Sequence, residues 1–355
     1  MDVLQHIKKL TSLLGPSGYE HQVSNYLTDY LKERTDTVTV DALGNVTARK
    51  KGSRPGPVLL LTAHMDEVGF LIKKVEPNGL LRFEKLGGND DRNLPAQPVK
   101  LLGRDSIVDG MIGTLSAHFA KFDDVVSVRN HRELYIDIGA ASEQEVLEMG
   151  VEVGTPVTWG KEWKLLGPPD KQQIRAKSLD DRSGCAVLLQ VLEELEGTAF
   201  SGELIFLFTV QEEVGLRGAK TAAQHITADA ALAIDTTAVS DTPEGPMDDS
   251  LGLGRGAGIK VMDASLIVHS TIKQLLIDFA QKEQIPYQLE VFTGIGTDGG
   301  AVTYANKGIP TGVLSIPSRY THSAVELVDL GDVMAVKEIV RTFILQMDEQ
   351  QSFAF

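Results

Sequence analysis

The sequence holds a single cysteine, Cys185, which excludes an intrachain disulfide framework. It lacks any stretch approaching the roughly eighteen unbroken apolar residues that a membrane-spanning helix needs. Basic charge is also short: Lys and Arg number 34 against 49 Asp and Glu, a formal net charge of -15. Such a surface repels phosphate backbones and anionic lipid, so neither nucleic acid nor a membrane is expected as a partner. The first residues, MDVLQHIKKLTSLLG, have neither the basic-then-apolar order nor the cleavage site of a secretory signal, and a cytoplasmic location is expected. What is present is the composition of a folded protein, 42% hydrophobic and 23% charged, in 355 residues. That length exceeds most single cores, so one large domain with an insertion, or two domains, is expected.

The pattern along the chain favours an interrupted α/β domain. Apolar residues at helical spacing (Leu4, Ile7, Leu10, Leu13, then Val23, Tyr26, Leu27, Leu31) predict two helices separated by GPSGYE. TVTVDALGNVTARK alternates like a half-buried strand with a Gly-Asn turn, and PVLLLTAH reads as a strand covered on both faces. From residue 68 to 162 the pieces become short and β-rich, punctuated by Gly, Asn, Pro and Asp, which predicts a small β-barrel or sandwich. Beyond LLGPPDKQQ, strands alternate with helices again. We therefore expect a mostly parallel sheet with helices on both faces, built from residues 1–67 and 163–355, and an inserted barrel over 68–162. TPEGPMDDSLGLGRGAG, residues 242–258, is expected to be a Gly-rich loop.

Acids and histidines recur just past the apolar runs: His64 and Asp66, the pair Glu212 and Glu213, Asp235, and His322. The carboxyl ends of strands in an open parallel sheet form a ligand-binding rim, so these groups can converge. Asp180 and Asp181 precede a helix whose positive end favours carboxylates. Imidazoles mixed with carboxylates suit zinc, cobalt or manganese, and a shared carboxylate permits a pair of ions. Two adjacent glutamates then have two jobs, one as metal ligand and one as proton acceptor. Asp66, two residues from His64, is placed to orient an imidazole. Singly, each residue has an ordinary reading: Asp180 as a helix cap, the glutamates as a solvated strand end, either histidine as a hydrogen-bonded structural residue. Their joint occurrence at strand ends and a helix start favours the metal reading. The other histidines (His6, His21, His118, His131, His225, His269) have no such context and are taken as structural.

The motifs AHMDEVG, SLDDRSG, QEEVGLRGA, AIDT, GTDGGA and IPSRYTHS, in that order, resemble the cytosolic dinuclear metalloaminopeptidases that assemble as tetrahedral particles, including glutamyl aminopeptidases. The resemblance runs from GPSGYE to YTHS. It implies a zinc-peptidase-like fold, with His64 and Asp235 on one ion, Glu213 and His322 on the other, and Asp180 bridging them. It further implies Glu212 as general base with Asp66 as its supporting acid, two divalent ions (zinc or cobalt, with manganese possible), and short peptides with a free N-terminus as substrates. A homo-oligomer, a tetrahedral dodecamer, is implied too, with the inserted domain shaping the particle rather than doing the chemistry. Placement of the insertion between His64 and Asp180 separates this family from carboxypeptidase-like and deacetylase-like relatives, which carry their extra domain later. For an acidic first residue, Arg255 and Lys260 in GLGRGAGIKVMD are the candidate anchors, with Arg319 a further cation near a ligand. GIGTDG, Gly294–Gly299, matches a dinucleotide-binding spacing but leads into no full crossover helix, so an oxidoreductase is set aside. Polysaccharide hydrolysis would leave the histidines without a role. A binding protein that has lost activity would need a missing ligand or base, and every expected position is filled.

Overall fold

The computed structural model of the chain describes residues 1–120, 128–169, 171–239, 241–243 and 250–353; residues 244–249 of the expected Gly-rich loop lie outside the described residues. Helix α1 (Val3–Ser12) is capped by Asp2, which accepts from Gln5 N at 2.8 Å, and buries Val3, Ile7 and Leu10. Helix α2 (His21–Lys32) buries Val23, Leu27, Tyr30 and Leu31 at the spacing the sequence predicts. Strands β1 (Thr37–Val40) and β2 (Val46–Lys51) form an antiparallel hairpin about the Gly-Asn turn, and β3 (Arg54–His64) follows.

The next stretch is the barrel. Strands β4 (Gly69–Val75), β5 (Leu81–Leu86), β6 (Pro98–Leu102), β7 (Ile107–Ile112), β8 (Ile136–Asp137) and β9 (Pro156–Trp159) close in the order β4-β5-β8-β7-β6-β9, with short helices α3 (Ala117–Ala120) and α4 (Glu143–Glu148) on the connections. Its centre is aromatic. The ring of Phe70 meets Phe83 edge-on at 5.1 Å and Trp159 at 4.9 Å between centroids.

The chain then returns to the large sheet through β10 (Lys164–Leu166), β11 (Gln173–Ala176), helix α5 (Leu179–Glu194), β12 (Ser201–Thr209), helix α6 (Arg217–Ala222), β13 (Ala230–Ala238), β14 (Ala257–Met262), helix α7 (Ser270–Lys282), β15 (Tyr287–Val291), helix α8 (Asp298–Thr303), β16 (Thr311–Arg319), β17 (Glu326–Asp329) and helix α9 (Leu330–Gln346). The sheet runs β1-β2-β12-β3-β13-β16-β17-β11-β10, with β14 on β16 and β15 on β14. Neighbouring residues of β3 serve opposite faces: Leu59 and Leu61 join the cluster that includes α1, α5 and α9, while Leu60 packs with Ala222 of α6 and Val302 of α8. Continuous hydrophobicity in PVLLLTAH thus reflects helices on both sides.

The expected parallel arrangement holds at the centre, where β12, β3, β13 and β16 run together. The sheet as a whole is mixed, because its margins are antiparallel: β1, β2 and β12 on one side, β16, β17, β11 and β10 on the other. The reason is local. A helix-length crossover is needed only between parallel strands, and β1 with β2 and β10 with β11 are joined by short turns. Among the described residues no helix is long and apolar enough to cross a membrane.

Candidate metal centre

The four central strands end at one rim, and there the acids and histidines meet. His64 closes β3 level with Thr209 of β12, so the glutamates that follow Thr209 enter beside the imidazole. Four successive amides at that turn are each met by a buried acceptor. Val210 N donates to Asn45 Oδ1 at 3.0 Å, Gln211 N to Glu20 Oε1 at 3.0 Å, Glu212 N to Asp66 Oδ1 at 2.9 Å and Glu213 N to Asp66 Oδ2 at 3.2 Å. Gln211 takes a left-handed φ of 54°. The turn is over-determined by its hydrogen bonds, and both glutamates line a cavity of about 470 Å³ together with His64, Asp180, Asp235 and His322.

Asp180 occupies the middle. Its Oδ1 lies 3.2 Å from His64 Nε2, and its Oδ2 lies 3.4 Å from His322 Nε2. His64 Nε2 is also 3.7 Å from Asp235 Oδ1, and His322 Nε2 is 3.0 Å from Glu213 Oε2. One carboxylate thus faces two clusters, each containing an imidazole and a second acid. Ligand-type atoms of His64, Asp180 and Glu213 all lie within 4.8 Å of one another, as do those of His64, Asp181 and Asp235. Asp181 differs from Asp180 because backbone donors claim both its oxygens: Gly184 N at 3.0 Å and His64 N at 3.3 Å. The capping role weighed for Asp180 falls to Asp181. A Cβ on Gly184 would sit 2.4 Å from its carboxylate, so the cap requires glycine.

Two buried carboxylates hold the backbone of the centre. Asp66 takes the amides of Glu212 and Glu213, accepts from Ser17 Oγ at 2.6 Å and faces His64 Nδ1 at 3.5 Å. Glu326, on β17, does the same on the other side, accepting from Asp180 N at 3.0 Å and His322 N at 2.9 Å. Beneath them Lys177 Nζ lies 2.8 Å from Glu67, and Arg182 donates to the carbonyls of Met65 and Leu10, tying α1 to the end of β3. Cys185, buried on α5, reaches the carbonyl of His64 at 3.1 Å, and burial raises its thiol pKa.

So much negative charge in one place is costly without cations. Burial raises the carboxyls of Asp181, Glu212, Glu213 and Asp235, and takes Asp298 to about 7 and Glu326 to about 8. Burial resists charge on the imidazoles, but the facing carboxylates outweigh it: His64 is raised, and Glu213 with Asp180 pushes His322 up to about 12. Asp66 and Asp180 are drawn down despite their burial, because imidazoles face them. Glu213 Oε1 and Asp298 Oδ1 are buried without a partner. Two imidazoles, three convergent carboxylates and an orphaned ligand atom fit a pair of divalent cations of the zinc, cobalt or manganese kind.

The two cations singled out for an acidic substrate do not line this cavity. Lys260 is not in a loop: it lies on β14, fully buried, 2.9 Å from Glu290 and 3.8 Å from Asp263. Arg255 is exposed and lies against Gly252. Arg319 forms a two-pronged pair with Asp241 at 2.5 and 2.8 Å. Sequence reasoning missed Glu326, Asn45 and Glu20, which clamp backbone amides, and Ser17, whose hydroxyl holds the Asp66 carboxylate; none has a spacing signature. It also missed Asp298, which accepts from Thr209 Oγ1. The GIGTDG segment does border the cavity, through Gly294, Ile295 and Gly296, and α8 after it is only six residues long.

The family model described as M42 glutamyl aminopeptidase matches residues 44–339. A protein of Acetivibrio thermocellus named "Putative aminopeptidase" is 40% identical over 96% of this chain and 98% of its own. The lysyl aminopeptidase of Pyrococcus furiosus is 32% identical over 92% of each chain, and the glutamyl aminopeptidase of Lactococcus lactis subsp. cremoris is 28% identical over 99% and 98%. Among solved structures, the aminopeptidase APDkam598 of the archaeon Desulfurococcus kamchatkensis superposes with a TM-score of 0.91 at 39% identity, covering 97% of this chain and 94% of its own. The Pyrococcus horikoshii TET1 peptidase, described as able to assemble into a tetrahedron or a large octahedral shell, gives 0.86 at 34% identity over 97% and 100%.

Proposed function

The chain belongs to the M42 glutamyl aminopeptidase family and is a metal-dependent aminopeptidase, and from that premise we propose that it removes the first residue of short peptides with the help of two divalent cations. The observation that carries this reading is Asp180, whose two oxygens face different imidazoles. His64 and Asp235 with Asp180 Oδ1 would hold one cation, and Glu213 and His322 with Asp180 Oδ2 the other; zinc, cobalt and manganese all accept these donors. Such cations, when bound, supply Lewis acidity to the scissile carbonyl and to the attacking water.

The chain's own residues do the rest. Glu212, lining the same cavity and fixed at its amide by Asp66, takes the proton of the attacking water and delivers it to the departing amine. Asp66 faces His64 Nδ1, which leaves Nε2 directed at Asp180 and Asp235. The free amino group of the peptide settles against the acidic rim, where a blocked N-terminus would bring no compensating charge.

An acidic first residue is the preference expected from Arg255 and Lys260, yet no Lys or Arg lines the cavity among the described residues. Leu216, Ile295, Ala238 and the threonines 236, 237 and 321 form its neutral wall. The lining therefore supports the alternative of a broad or apolar preference. By likeness to the Pyrococcus horikoshii particle we also infer a homo-oligomer, a tetrahedral dodecamer working in the cytoplasm, with the barrel as an assembly element.

One experiment tests the reading: a panel of Leu-, Ala-, Lys- and Glu-led peptides, free or N-acetylated, assayed on the wild type and on Glu212→Gln at equal metal content. Free Leu- and Ala-led peptides should be cleaved fastest, acetylated ones not at all, and turnover should fall by about 10²–10⁴-fold in the variant. Cleavage of acetylated peptides or full turnover by Glu212→Gln would sink the mechanism; a Glu-led optimum would restore the acidic preference.

A further inference from the structure

We propose that the barrel loop Gly87-Gly88-Asn89 is a positioning element of the metal centre, orienting His322 and setting how tightly the second cation is held. The inference rests on the two-cation reading above and concerns residues outside its ligand set.

Three observations converge on the loop. First, the Gly88 carbonyl lies 3.3 Å from His322 Nδ1. A carbonyl only accepts, so this contact keeps a proton on Nδ1 and leaves Nε2 free to face Asp180 and Glu213. His64 takes its orientation differently, from Asp66 two residues along its own segment.

Second, the approach is closer than a side chain takes up without a shift of its neighbours. A Cβ on Gly88 would stand 3.1 Å from His322 Nδ1 and 3.5 Å from its Cε1. On Gly87, which has a φ of 81°, it would stand 2.7 Å from Val68 Cγ1 and 3.3 Å from the Cβ of Glu213. The two glycines thus press on both proposed ligands that belong to the second cation alone.

Third, the loop is pinned, and so is the far side of His322. Asn89 Nδ2 donates to the carbonyls of Gly69 at 3.1 Å and Leu86 at 3.2 Å, and Lys85 Nζ donates to Asn89 O at 2.7 Å while pairing with Asp91 at 2.6 Å. Ala324, two residues beyond His322, is buried in the barrel's own apolar cluster, with Val325 packed against it. The imidazole therefore stands between two contacts with the barrel, and displacing the barrel by tenths of an ångström moves one proposed ligand of one cation. This extends the expectation that the inserted domain only shapes a particle.

The test is titration of the chelator-treated full chain with Co²⁺, followed by calorimetry and by visible absorption, on the wild type, Gly88→Ala and Asn89→Ala. Gly88→Ala places a methyl against the imidazole; Asn89→Ala frees the loop while adding no atom, so it carries the test should the first variant fold poorly. In both variants the first equivalent should bind as in the wild type. The second should bind about 10–100-fold more weakly, with altered absorption, whereas a merely destabilised fold would weaken both equivalents alike. Two equivalents bound with wild-type affinities and spectrum in both variants would overturn the proposal. A wild type that takes up fewer than two equivalents would instead overturn the two-cation reading itself, so the two failures are distinguishable.

Discussion

His64 ends a strand with parallel neighbours on both sides and is 2% exposed, whereas His322 sits on a loop beyond β16, with a left-handed φ of 62° and a third of its side chain open to solvent. The first is held by the sheet, by Asp66 and by the packing of α5; the second is held by Glu326, by a barrel carbonyl and by a turn. The difference teaches that the proposed two-ion centre need not be equally stiff in both halves. The half proposed on strands, His64 on β3 and Asp235 within β13, is fixed when the core forms, while the half proposed on loops depends on the neighbouring barrel.

Asp180 is common to both halves, so its removal should erase the distinction. Asp180→Asn is expected to bring the bound metal of the purified protein close to zero and to abolish peptide cleavage, as read by elemental analysis and a rate assay. Retention of one full equivalent would show that the halves are independent after all. His322→Ala should have the next largest effect and should sharpen the contrast: one equivalent lost, the other kept at wild-type affinity in a metal titration. Loss of both would mean that the strand-borne half cannot stand alone.

The smallest effect is on stability without metal. The carboxyls of Asp181, Glu212, Glu213, Asp235, Asp298 and Glu326 and the imidazoles of His64 and His322 all lie above their usual pKa values, chiefly by burial for the acids and by facing carboxylates for the histidines. A folded state that binds extra protons loses stability as those protons leave. From the carboxyl range near 4 up to about 8, the value for Glu326, the metal-free protein should therefore become less stable as pH rises. Thermal melts of the chelated chain at pH 5 and pH 8 should show a lower midpoint at pH 8. The metal-loaded chain, with cations in place of the protons, should show the drop reduced or reversed.

The same division governs how much could be read in advance. The strand positions of His64 and Asp235 follow from continuous apolar runs, PVLLLTAH and ALAID, because a strand covered on both faces has no other pattern available; His64 does end β3, but Asp235 lies inside β13, which runs on to Ala238. The parallel centre of the sheet was legible on that basis; its antiparallel margins were not, since β10, β11 and β17 are short. Glu326 was invisible because a carboxylate that clamps backbone amides has no periodicity, and ELVD reads like any edge strand. Lys260 was misplaced because glycines around GIKV resemble a loop, while its partner Glu290 lies thirty positions on. Gly88 was passed over because a close approach between domains leaves no local trace in either segment.

The one sulfur atom of a cysteine in this chain is sealed under the carbonyl of His64 and held in its protonated form by burial and by the nearby Asp181 carboxylate. Slow reaction with alkylating reagents and peroxides is therefore expected. Air and oxidants are accordingly not expected to inactivate the proposed centre by way of this thiol.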